Sequence, residues 1–174
     1  MPILLASYDP TWPAEFAAEE ARILDVCRGL PIRLEHVGST AVPGLDAKPI
    51  IDILAGCPPR ASRAEYVAAL RQIGYEHKGA FGIPGRNYFR RGSPRSHHVH
   101  MVSWSSAFWR DQLTFRDALR ADDSLRRQYA ALKRDLARTF SDDVEQYAGA
   151  KGPFIASVLR QAEHEAGDAP DAVR

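Results

Sequence analysis

The sequence predicts an α+β domain, with a small mixed or antiparallel sheet flanked by helices and further helices towards the C-terminus. Three observations point there. Short apolar runs bounded by Gly and Pro fall between Pro31 and Ser103. From Ser105 onward the apolar residues recur with a helical period. Strands come first and helices later, which disfavours a regular βαβ barrel.

In chain order, Pro10 and Pro13 flank the start of WPAEFAAEEARILDVCRG. Acids in the first turns and Gly29 beyond the end predict a helix from about Thr11 to Arg28. PIRLEHV is a strand, placing Ile32, Leu34 and His36 on one face and Arg33, Glu35 and Val37 on the other. GSTAVPGLDAKP is a loop marked by Gly38, Pro43, Gly44 and Pro49. PIIDILAG is a short apolar run suited to a central strand, and Ser62 to Ile73 is a helix with Tyr66, Val67, Leu70 and Ile73 on one side. The Gly- and Pro-rich middle predicts short strands at Tyr75–Lys78, Asn87–Arg91 and His97–Ser103. Phe108, Phe115 and Leu119 make one helical stripe; Leu125, Tyr129, Leu132 and Leu136 make a longer one. A last helix runs from near Asp143 to about Glu165, kinked or split at Gly152-Pro153. Residues 1–166 form one domain and 167–174, GDAPDAVR, a flexible tail.

The 174 residues suffice for one domain with a core, and 45% hydrophobic with 26% charged residues is ordinary for a soluble protein. A formal net charge of +1 gives no global field for nucleic acid or an anionic membrane, so neither is expected as a partner. No apolar stretch approaches the ~20 residues of a membrane span, and the N-terminus does not read as a signal peptide, so a cytoplasmic protein is expected. Cys27 and Cys57 match neither a disulfide scaffold nor a CxxC site and are read as buried thiols.

Chemistry concentrates in two segments. In EHVGSTAVPGLDAKPIIDI a strand ends at Val37 and Gly38-Ser39 follows. Glycine lets the backbone approach a ligand, and its N–H groups with the hydroxyls of Ser39 and Thr40 suit phosphate oxygens. Asp52 lies between aliphatic residues, where an ionised carboxylate must be paired, hydrogen-bonded or metal-bound. The plainer reading is a turn at Gly38, with Asp52 paired with an arginine or capping backbone N–H groups. In RNYFRRGSPRSHHVH there are four arginines, three histidines and no acid. His98 and His100 share a strand face and suit a metal, a phosphate or a proton relay; a solvated basic edge strand is the alternative. Lys151 either snorkels to water or reaches into a site.

EHVGSTAVPGLDAKPIIDI, with HHVHMV, FWRDQLTFRDALRADDSLRRQYAALKRDLA and YAGAKGPFI, resembles the GrpB (UPF0157-type) family, and the resemblance runs from YDPTWPAEF to about Leu159. That family is similar in fold to the nucleotidyltransferase superfamily. The resemblance implies that Gly38 and Ser39 hold nucleotide phosphates and that Asp52 is the first metal-binding carboxylate. Active members of the superfamily usually carry a second acid two positions on; here that position is Leu54, which cannot bind a metal. The expected function is transfer of a nucleoside monophosphate from an NTP to a small molecule or protein, with Mg²⁺ or Mn²⁺. Asp52, His98 and His100 would be catalytic and, with Glu35, ligate the metal. Gly38, Ser39, Thr40, Lys48, Arg90 and Lys151 would bind the nucleotide. Alternatives are a non-catalytic module that binds a nucleotide or phosphorylated metabolite or assists a protein partner, as domains fused to dephospho-CoA kinase suggest, and a metal-dependent phosphoester hydrolase.

Overall fold

A five-stranded sheet carries Asp52 near its centre in the computed structural model, which describes residues 3–167. The helix α1 (Trp12–Val26) has Pro13 and an acid, Glu15, in its first turn, and Gly29 takes a positive φ just beyond it. Then come β1 (Arg33–Val37), a 3₁₀ turn at Ser39–Ala41, β2 (Ile51–Cys57), α2 (Arg63–Gln72), β3 (Glu76–His77), β4 (Asn87–Arg91) and β5 (His97–Ser103). Four helices complete the described chain: α3 (Ala107–Ala121), α4 (Asp123–Thr139), α5 (Val144–Gly149) and α6 (Gly152–Gly167). The helical stretch after Ser105 breaks at Asp122, whose carboxylate caps α4 by accepting from the N–H groups of Ser124 and Leu125 at 2.7 and 3.0 Å. Gly152-Pro153 splits the last helical stretch in two, with Lys151 in the turn between α5 and α6. Of the expected tail, Gly167 ends α6 and residues 168–174 lie outside the described region.

The strand order is β1-β2-β5-β4-β3, with β2 and β5 parallel and the other pairs antiparallel. Ile51, Ile53, Ala55, Phe89, Val99 and Met101 share a core with Ile23 of α1 and Tyr66 and Leu70 of α2. On the opposite face, Val37, Leu54 and Val102 pack beneath Phe108, Trp109 and Leu113 of α3. Gly56 is required there, because a Cβ would lie 2.6 Å from the Trp109 ring. The other end of this second face, beyond α3, carries Asp52, His98, His100, Tyr88 and Arg90.

Leu125, Tyr129 and Leu132 of the expected stripe pack with Val42, Leu45, Phe115, Leu119 and Phe154, and Leu136 is half-buried. Lys133, four residues after Tyr129 and so on its side of α4, is only 2% exposed. Cys27 and Cys57 are free and buried.

Candidate functional site

Register brings the site together. Asp52 of β2 is the direct partner of His98 on β5 and of Val37 on β1, and Arg90 on β4 faces His98 from the other side. Side chains paired across strands project to one face, so the period-two spacing of His98 and His100 puts both rings beside the Asp52 carboxylate. Oδ1 of Asp52 lies 3.1 Å from Nδ1 of His98 and 3.3 Å from Nε2 of His100. One ligand atom from each of the three residues falls within 4.8 Å of the others, close enough for all three to face one cation. Burial opposes ionisation of Asp52, but the contacts with His100 and His98 prevail and hold its carboxyl well below the usual range. Nε2 of His98 is buried and makes no hydrogen bond among the described residues.

Gly38 has φ 72° and ψ −172°, a conformation that favours glycine. It is also pressed against the carboxylate: a Cβ here would sit 2.6 Å from Oδ2 of Asp52. The 3₁₀ turn that follows brings Ser39 to the same cavity as Asp52. The Ser39 hydroxyl accepts a bond from the Lys133 ammonium at 3.0 Å, leaving its own proton for a ligand. Lys133 also donates to the carbonyl of Asp46. The Thr40 hydroxyl is committed inward, donating to the Ile50 carbonyl at 3.3 Å and lying 3.0 Å from Nε2 of His36.

The resulting cavity, of about 370 Å³, lies between the sheet and α4, α5 and the turn that follows α5. Its basic side chains are Lys48, Arg90, Arg95, Lys133 and Lys151, against Asp52 as its acid. Lys48 and Lys151 hold their ammonium groups over the Tyr147 ring at 4.9 and 4.5 Å, and Arg90 lies over Phe81 and Tyr88 at 4.5 and 5.1 Å. Burial, then the charge of Lys151, pulls Lys133 down to about 7. Burial, then the charge of Lys48, pulls Lys151 down to about 8. Lys48 is lowered by burial and by Arg95. Cations crowded in this way favour an anion between them. A second cavity of about 160 Å³ meets the first at Ser39, Asp52 and Lys151 and is walled by Gln112, Phe115 and Arg116.

Asp52, Ser39, Thr40, Lys48, Arg90, His98, His100 and Lys151 thus line one cavity, and Gly38 lies behind Asp52 in the adjoining one. Glu35 is not brought there. It is paired across the sheet with Leu54 and ion-paired with Arg116 at 2.7 Å. Of the remaining arginines of the basic segment, Arg95 joins the cavity, Arg91 turns to Glu19, and Arg86 turns to His100. Sequence reasoning missed Lys133; its signal was a lysine falling within an apolar helical stripe. Leu54, two residues after Asp52 on the same face of β2, is fully buried under α3. Among the described residues, no helix is long and apolar enough to cross a membrane.

Known proteins similar to this chain fall in two tiers. The chain is 43% identical over 161 residues to a UPF0157 protein of Pseudomonas aeruginosa, covering 88% of this chain but 65% of that protein's length. The crystal structure of conserved protein GrpB from Enterococcus faecalis superposes with a TM-score of 0.84 at 32% identity, covering 95% of this chain and all of that one. More distantly, terminal uridylyl transferase 4 from Trypanosoma brucei, solved with bound dUTP, shares the fold at a TM-score of 0.54 and 15% identity, over 91% of this chain and 56% of that one. The family profile described as GrpB protein matches residues 2–161, and with it the sheet, the glycine turn and the whole Asp52 cavity: the chain belongs to the GrpB family.

Proposed function

We propose that the chain binds a nucleoside triphosphate in the cavity at Asp52 and transfers its nucleoside monophosphate to a small-molecule or protein acceptor. The observation that carries this reading is charge: five basic side chains and Ser39 converge on one carboxylate in a cavity of about 370 Å³. Polyphosphate is the anion that suits such density.

Each residue has a task in that reading. Ser39 donates its hydroxyl proton to a phosphate oxygen, and Lys133, behind it, supplies charge through the same hydroxyl. Lys48, Lys151, Arg90 and Arg95 offset the remaining phosphate charge. Asp52 is the residue to hold a divalent cation, Mg²⁺ or Mn²⁺; bound there, the ion would neutralise triphosphate charge and orient the reacting phosphorus. The fused position of the second cavity, sharing Ser39, Asp52 and Lys151, suits an acceptor approaching from the far side. The fold of a uridylyl transferase bearing a bound nucleotide supports the assignment at the level of architecture.

One observation favours a second reading, a nucleotide-binding module without transfer. Leu54 is fully buried, which leaves a single carboxylate on the cavity face of β2. The test separates the two. Calorimetric titration with ATP, GTP, CTP and UTP in Mg²⁺ should show binding that weakens in Arg90→Ala and Lys151→Met; absence of binding at millimolar nucleotide removes both readings. Incubation with nucleotides labelled at the α-phosphate and a cell extract should then label an acceptor with wild type and not with Asp52→Asn. Binding without labelling leaves the module.

A further inference from the structure

Arg86 is buried at the end of the glycine-rich segment before β4, with its Nε donating to the carbonyl of Ala80 at 3.2 Å and one terminal nitrogen to that of Phe81 at 2.7 Å. Its other terminal nitrogen, Nη1, lies 3.2 Å from Nδ1 of His100. A guanidinium has donors and no acceptor. Nδ1 of His100 must therefore accept, and the ring proton of the neutral imidazole is placed on Nε2. That nitrogen faces Oδ1 of Asp52 at 3.3 Å, where an N–H has an acceptor waiting. The acceptor Nδ1 and the donor Nε2 of the ring are thus both accounted for. His98 differs: its Nδ1 faces the same oxygen at 3.1 Å, while its Nε2 is buried without a partner.

This bears directly on the cation. Two imidazoles and one carboxylate close together are a donor set for Zn²⁺, Mn²⁺ or another first-row ion. An imidazole that ligates through Nε2 carries its proton on Nδ1 and donates it to a carboxylate, a carbonyl or water. Here Nδ1 of His100 meets Arg86, and a proton there would set donor against donor. The cluster lacks the outer partner that a resident transition ion requires.

We propose that Arg86 sets the cation specificity of the Asp52 cavity by fixing His100 as an Nε2–H donor, so that the cavity takes its divalent ion together with a nucleotide phosphate rather than holding a resident transition metal. The inference rests on the nucleotide-binding reading for what the cation serves, but not for what Arg86 does to His100. With Oδ1 of Asp52 accepting from both histidines, its Oδ2 remains for the ion. One carboxylate oxygen with phosphate oxygens and water is a donor set that suits Mg²⁺. Arg86 is a positioning residue in this scheme, since it acts through His100.

The test uses the full chain stripped of metal, with ions alone as probes. Zn²⁺ and Mn²⁺ added without nucleotide should bind wild type weakly, and Arg86→Met should bind Zn²⁺ at least about 10-fold more tightly, the usual scale of an outer-partner effect on a metal site. The gain should vanish in Arg86→Met/His100→Ala. Arg86→Lys, which retains a donor facing Nδ1, should stay near wild type. Tight Zn²⁺ binding by wild type that is lost in Asp52→Asn overturns the proposal, as does a folded Arg86→Met with no gain. Should Arg86→Met fail to fold, long-range ¹⁵N–¹H spectra of the wild-type histidines decide instead. His100 protonated on Nε2 and bare on Nδ1 supports the assignment, and the opposite tautomer ends it. A protein with the expected tautomer that binds no ATP loses the nucleotide reading and keeps the role of Arg86. One that binds ATP but shows the opposite tautomer loses only the latter.

Discussion

Glu19 and Asp52 lie against opposite faces of the same sheet, and each is answered differently. Glu19, on α1, is 3% exposed. It accepts from Arg22 at 2.8 Å, Arg91 at 2.6 Å and the Tyr75 hydroxyl at 3.0 Å, and Arg91 reaches on to His97 at 3.0 Å. The chain itself supplies two cations for that one acid. Asp52 retains 28% exposure of its side chain and accepts from two imidazoles on a single oxygen. Around it, Lys48, Arg90, Arg95 and Lys151 have no carboxylate within ion-pair distance among the described residues. Burial of charge is common to both clusters. What separates structure from site is charge pairing: the Glu19 carboxylate is met by two arginines of the chain, and the Asp52 network has an excess of cations facing a cavity.

The largest effect expected is from a third carboxylate placed where neither solution is available. Leu54→Asp would place a second acid two residues after Asp52 on β2, but this side chain is packed against Phe108, Trp109 and Leu113. An unpaired charge there should cost about 4 kcal/mol and raise no metal affinity. Urea unfolding with Mn²⁺ titration checks both, and a stable variant with tighter Mn²⁺ binding would show that the pocket under α3 can open.

Next in size is the contrast between the two native acids. Glu19→Gln breaks the ion pairs of a buried network and should destabilise by about 3 kcal/mol without changing nucleotide affinity. Asp52→Asn should change stability by less than about 1 kcal/mol, since an amide oxygen still accepts from His98 and His100. Its Mg²⁺-dependent ATP affinity should nonetheless fall at least about 10-fold, the loss of a charge-assisted contact. Equal destabilisation by the two changes would mean that Asp52 is structural.

Smaller again is the effect of a single cation. Lys151→Met, in a side chain already shielded from water over Tyr147, should weaken ATP binding by about 10-fold and leave the unfolding midpoint unchanged or raised. Calorimetry and thermal unfolding on the same sample test the pair of outcomes.

The smallest expected effect is on pH. Folding lowers Lys133 to about 7 and Lys151 to about 8, from an ordinary 10.5. Between those folded values and 10.5 the unfolded chain holds more protons, so these two groups make stability rise with pH across that window. Anion affinity moves the other way, because the charges that attract phosphate are lost as pH climbs through 7 and 8. ATP binding should weaken by about 5-fold between pH 6.5 and 9 and take up protons near pH 8, visible as a dependence of binding heat on the buffer. A flat profile would mean that these lysines do not meet the ligand.

Period and turn chemistry by themselves determined much of this protein. Alternation along HHVH sets His98 and His100 on one strand face with Val99 opposite, and alternation along RLEHV separates Glu35 from His36. A glycine straight after a strand marks the turn at Gly38, and Gly152-Pro153 marks the break beside Lys151. These patterns are local, because backbone geometry repeats every two residues in a strand and every 3.6 in a helix whatever lies elsewhere. Tertiary structure alone decided which faces meet. The parallel pairing of β2 with β5 sets Asp52 against His98 rather than against an arginine. The docking of α3 and α4 buries Leu54, sends Glu35 to Arg116, and brings Lys133 to Ser39 across 94 positions of chain. The fold also sets Arg86 against His100 at 3.2 Å, across 14 positions of one segment. Register and helix docking minimise the free energy of the whole core, so a pattern within any one segment fixes the face a side chain occupies but not the neighbour it finds there.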